Sequence, residues 1–113
     1  QKTDGIIYSQ KDVIKDYIDK NYKKDISAKD VASILGYSDV YFSKVFKQLF
    51  DDNFINYLTG LRINRAKELL KDVSFNIKEV GKSVGYADSN YFTKVFKRSI
   101  GMSPSEYRGK HKG

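Results

Sequence analysis

Residues Tyr41–Lys47 read YFSKVFK, and residues Tyr91–Lys97 read YFTKVFK. The two stretches differ by one Ser/Thr exchange and lie fifty residues apart in a chain of 113. Stepping ~100° per residue from Phe42 puts Val45, Phe46 and Leu49 within ~60° of it, a buried stripe on a helix. Val40, Ser43, Lys44 and Lys47 fall on the opposite side. In the second copy Phe92, Val95 and Phe96 point inward, and Asn90, Thr93, Lys94 and Lys97 point outward. Aromatics at this spacing beside an apolar third position are packing, not a base-stacking platform.

The duplication extends beyond seven letters. VASILGYSDVYFSKVFK (31–47) aligns with VGKSVGYADSNYFTKVFK (80–97), matching Val31 with Val80 and Gly36-Tyr37 with Gly85-Tyr86. The second copy has one extra residue between its Gly-Tyr pair and its heptapeptide. Tyr57 and Tyr107 correspond farther on.

Helix signals fill the rest. Helix one covers about 10–22, with Val13, Ile14, Tyr17 and Ile18 on one face. Ser27 caps helix two, with Asp30 as capping-box partner; Val31, Ala32, Ile34 and Leu35 follow, and Gly36 ends it. Ser38 caps helix three, to about Phe50. A long helix follows, about 54–71, whose apolar line shifts from Phe54, Leu58 and Leu61 to Ile63, Ala66 and Leu70, as suits a connector. Asn76 caps the next helix, carrying Ile77, Val80 and Val84 and ending at Gly85. Asp88 or Ser89 caps a helix to about Arg98. Ser103, Pro104 and Glu106 open a last short helix, to about Arg108. Pro104 is the single proline. The expected fold class is all-α: seven helices, in two helix-turn-helix subdomains of homeodomain-like three-helix type.

Composition narrows the function. There is no cysteine, which excludes disulfides, thiolate metal sites and thiol catalysis. The single histidine, His111, lies in a Lys/Gly tail and is expected to be loose surface. Carboxylates are scattered among lysines, so catalytic and metal residues are expected to be none, and cofactors none. No run of ~18 apolar residues exists to span a membrane, and no signal-peptide pattern appears. Net charge is +7, with +2 in residues 1–50 and +5 in 51–113. Such an excess suits an anionic partner. The outward lysines repeat in register, which a shared core does not explain.

These residues resemble the DNA-binding domain of the AraC/XylS family of bacterial transcription regulators. The resemblance runs over about 8–109 through GYSDVYFSKVFK, LRINRAKELL and IKEVGKSVGYADSNYFTKVFKRSIGMSPSEYR, with the one-residue difference between the turns. The wording is also similar to the response-regulator subgroup (YesN-like). The resemblance implies two recognition helices in successive major grooves of one duplex, about one turn or ~34 Å apart. It implies base contacts from Val40, Ser43 and Lys44, and from Ser89, Asn90, Thr93 and Lys94. It implies phosphate contacts from Lys47, Lys97 and the helix start at Ser103. Arg62 is a further phosphate candidate that could equally serve as a structural salt-bridge partner.

Two departures from the family stand out. Asp51 and Asn53 occupy the places where the family has glycine and a small hydroxyl residue, as at Gly101 and Ser103. Lys44 and Lys94 stand where arginine is frequent, so bidentate guanine reading is less secure there.

The expected organisation is 1–8 a linker or cloning remnant, 9–52 the first helix-turn-helix subdomain, 53–72 the connector helix, 73–109 the second subdomain and 110–113 a basic tail. Gln1 in place of Met fits a fragment of a longer protein. The expected role is a cytoplasmic, sequence-specific binder of double-stranded DNA within a transcription activator, and no enzyme. The isolated domain is expected to be monomeric. The full protein is expected to touch RNA polymerase and to dimerise through a missing regulatory domain. Two alternatives stay open: a basic helical module docking an acidic protein, and a fragment of a DNA-repair enzyme, against which the lack of cysteine argues.

Overall fold

The computed structural model describes residues 2–3, 6–7 and 9–111. A two-residue antiparallel ladder leads, β1 (Lys2–Thr3) with β2 (Ile6–Ile7), pairing Lys2 with Ile7 and Thr3 with Ile6. The expected linker 1–8 thus includes this ladder; its other residues, and residues 112–113 of the expected tail, lie outside the described set. Seven helices follow: α1 (Gln10–Asn21), α2 (Ala28–Ile34), α3 (Asp39–Phe50), α4 (Phe54–Leu70), α5 (Ile77–Ser83), α6 (Ser89–Ile100) and α7 (Pro104–Lys110). The seven helices are the ones expected, and the short ladder before them is an addition to that expectation.

Helix starts follow local chemistry. Ser9, Ser27, Asn76 and Ser103 each accept from the N3 backbone, while Asp12, Asp30, Glu79 and Glu106 reach back to the cap. These reciprocal boxes satisfy amides that have no partner within the helix. Between Asp88 and Ser89 the open choice at α6 is decided for Asp88, whose Oδ1 accepts from the Asn90 and Tyr91 amides at 2.9 and 3.2 Å. Asp51 ends α3 in the left-handed region (φ 56°), as Gly101 ends α6 (φ 91°). Aspartate tolerates that conformation better than most side chains.

The chain divides into two compact units, 1–58 and 59–113, the division falling inside α4. Each unit carries the same aromatic line. In the first, Tyr37, Phe42, Phe46 and Tyr57 follow one another at centroid distances of 6.5, 5.7 and 5.6 Å. In the second, Tyr86, Phe92, Phe96 and Tyr107 do so at 5.8, 5.9 and 5.6 Å. The shifting stripe of α4 also appears: Phe54 and Leu58 are buried, then Ile63, Ala66 and Leu70.

Three expectations are corrected. Val13 is 45% exposed and Ile34 is 60% exposed. Ile14 and Ile18 set the buried direction of α1, and Val13 lies ~120° from it; Val31 and Ala32 set that of α2, and Ile34 lies ~110° away. An apolar residue at the edge of a face need not be in it. His111 is not loose: its ring stacks on Tyr107 at 4.1 Å and its backbone N–H donates to the carbonyls of Tyr107 and Arg108, closing α7.

Candidate nucleic-acid interface

The two turns start alike. The Tyr37 amide donates to the Ala32 carbonyl and the Tyr86 amide to the Gly81 carbonyl, both at 2.8 Å. Gly36 (φ 75°) and Gly85 (φ 108°) make the reversal in the left-handed region, where glycine meets no steric penalty. The extra residue of the second copy, Ala87, falls between Tyr86 and the cap Asp88. It therefore lengthens the turn and leaves the register of cap and heptapeptide unchanged: Ser38 and Asp88 each stand three residues before their tyrosine.

α3 thus presents Val40, Ser43, Lys44 and Lys47 to solvent, with Val40 79% exposed. α6 presents Asn90, Lys94 and Lys97, with Ser89 and Thr93 half-buried beside them. Because Asp88 is the cap, Ser89 is the first helical residue and its hydroxyl is not used in capping. None of Lys44, Lys47, Lys94 and Lys97 forms an ion pair among the described residues. Glu106 carries a carboxyl held below its ordinary value, first by the Ser103 amide and hydroxyl, then by the charges of Lys97 and Lys110. Ser103 accepts from the Glu106 amide at 3.1 Å while its own amide donates to that carboxylate at 2.8 Å. Arg62 is half-buried, its guanidinium 5.3 Å from the centre of the Tyr86 ring, so it packs on the second unit.

Sequence reasoning missed three features. Tyr41 and Tyr91 are 49% and 52% exposed on the flanks of α3 and α6. Each is held edge-on by the tyrosine of its turn, Tyr37 at 5.0 Å and Tyr86 at 5.9 Å. Their place ~100° from Phe42 and Phe92 was the available signal. Arg108 closes the end of α4: its Nε donates to the Leu70 carbonyl at 2.7 Å and an Nη to that of Asp72 at 3.1 Å. No local pattern announces a bond across 38 residues. Among the described residues there is no cluster of metal-ligating side chains, and no helix is long and apolar enough to cross a membrane.

Two helix-turn-helix units with repeated outward polar faces are what the family model described as "Helix-turn-helix domain" matches, over residues 31–110. The chain belongs to the AraC-type helix-turn-helix family. This is a family of DNA-binding domains of transcription regulators and not of enzymes. The domain's partner is double-stranded DNA. The AraC-type domain is similar to the uncharacterized HTH-type transcriptional regulator YijO of Escherichia coli K12, at 38% identity over 86% of this chain and 34% of that protein. The chain spans about a third of the length of the curated relatives it matches. It is also similar to the C-terminal domain of AraT, a response regulator of Geobacillus stearothermophilus. That likeness has 34% identity and a TM-score of 0.89, over 96% of this chain and 91% of that one. The C-terminal domain of the two-component response regulator yesN of Fusobacterium nucleatum is similar at 31% identity and a TM-score of 0.84. It covers 87% of this chain and 96% of that one.

Proposed function

We propose that α3 and α6 enter successive major grooves of one duplex, each reading a short block of bases. In the first block Val40 meets a thymine methyl, with Ser43 and Lys44 on neighbouring base edges. In the second Asn90 pairs bidentately with adenine, beside Ser89, Thr93 and Lys94. Lys47, Lys97 and the backbone N–H groups at the start of the last helix, near Ser103, hold phosphates, and Arg62 reaches one from the outer edge of a guanidinium already seated on Tyr86. The observation that supports this is the repetition, in one register, of an exposed polar face that core packing does not require.

The domain belongs, in this proposal, to a cytoplasmic activator of the response-regulator kind. Its regulatory part lies outside this chain and dimerises the whole protein, while the isolated domain is a monomer. RNA polymerase is the partner through which activation acts.

Selection of bound sequences from a random duplex pool at near-physiological salt tests the groove assignment. Two enriched blocks with centres about 10–10.5 base pairs apart are expected. A single block would leave one helix only holding backbone. No enrichment, with binding that vanishes as salt rises, would favour a basic docking module instead.

A further inference from the structure

The division at Leu58/Thr59 sorts the charge unevenly. Residues 1–58 hold nine Lys/Arg and nine Asp/Glu, a net of zero. Residues 59–113 hold twelve and five, so the entire net +7 belongs to the second unit. The contrast is sharpest on the matched helices. From cap to the residue beyond the C-cap, 38–52 sets Lys44 and Lys47 against Asp39, Asp51 and Asp52, a net of −1. Over the same register 88–102 sets Lys94, Lys97 and Arg98 against Asp88, a net of +2. Asp51 and Asp52 stand where the second unit has Gly101 and Met102.

Sequence-independent binding comes almost wholly from neutralising phosphates and releasing their counterions. At a screening length of ~8 Å in physiological salt, charge acts near where it sits. A unit without net charge, whose presenting helix and the two aspartates that follow it sum to −1, gains little from a random duplex. A unit at +7 gains much. Resting on the two-groove reading above, we infer that the second unit alone makes the sequence-independent complex with DNA. The first unit engages only when Val40, Ser43 and Lys44 meet their own half-site. α6 is thus the anchor, and α3 the conditional reader that separates the right site from the rest.

The test uses the full chain and two exposed pairs of lysines, with folding checked by circular dichroism. On a random-sequence duplex, Lys94→Ala/Lys97→Ala is expected to lower affinity about tenfold at ~50 mM salt and to reduce the salt slope by about two. Lys44→Ala/Lys47→Ala is expected to change that binding by less than twofold, yet to weaken binding to the selected site. Equal losses by both pairs on random duplex would overturn the anchor while leaving the two-groove reading intact. Failure of the unsubstituted domain to prefer any duplex would overturn both. A gain-of-function variant adds a second check: Asp51→Asn/Asp52→Asn keeps side chains that suit the left-handed cap and removes two negative charges. It is expected to raise random-duplex affinity severalfold and to make that affinity sensitive to Lys44 and Lys47. No rise would overturn the inference.

Discussion

Asn90 shows how a single side chain is made available for reading. Its backbone N–H is held by Asp88, its amide has no partner among the described residues, and it sits one position into the exposed face of α6. Asn90→Ala is expected to cost about 1–3 kcal/mol on the preferred site and to relax one base position, without changing folding. Competition among single-base variants of the site measures this; unchanged affinity and preference would move the reading face elsewhere. Lys97→Ala should instead weaken all sites alike and lower the salt slope by about one. Gly81 makes the opposite kind of point. A Cβ there would lie 2.7 Å from Cδ2 of Phe92, whereas its counterpart Ala32 is a buried methyl in the first unit. Gly81→Ala is expected to destabilise the domain by about 1–3 kcal/mol in urea titration, through the ring it displaces.

At the scale of elements, one helix cap and one turn carry carboxylates whose titration is linked to folding. Glu106 is held below its ordinary 4.5 chiefly by the Ser103 amide, and Asp72 below 3.8 chiefly by the Ser74 hydroxyl. The unfolded chain takes up these protons more readily, so both contributions are full above the ordinary carboxylate range. Each drains away as pH falls below the group's ordinary value, about 4.5 for Glu106 and 3.8 for Asp72, through its depressed folded value. Glu106→Gln keeps a residue that serves in the box but removes its titration. Its stability should fall less steeply than the parent's under acid in chemical-denaturation series, and an unchanged slope would show that Glu106 contributes no linkage. Caps of this kind are also why the helix boundaries were legible in sequence: each depends on three or four neighbouring letters. The outward set on α3 and α6 was legible because helical period alone fixes direction. Val13 and Ile34 were misplaced because they lie at the edges of their faces. The seat of Arg62 on Tyr86 depends on a residue 24 positions away and the closure of α4 by Arg108 on residues 36 and 38 positions away, which no local period encodes.

At the scale of the molecule, duplication gives two cores of the same plan but unequal electrostatic duty. Phe46 and Phe96 are fully buried counterparts, each central to its aromatic line. Truncating either to alanine should cost about 3–5 kcal/mol. That is a large share of the ~5–15 kcal/mol that holds a whole domain, and more than half a domain can easily lose. The consequences for DNA should nevertheless differ. Phe46→Ala loosens the unit with no net charge, so random-duplex binding should persist while one of the two sequence blocks disappears from the selected pool. Phe96→Ala loosens the unit that carries the whole +7 and should abolish binding to any duplex at physiological salt. Hydrogen exchange on each variant shows which amides lose protection, and duplex competition shows which function goes with them. If Phe46→Ala removed random-duplex binding as completely as Phe96→Ala, the two units would have to act as one electrostatic body, and the reason for writing the same heptapeptide twice would be shared attraction, not divided reading.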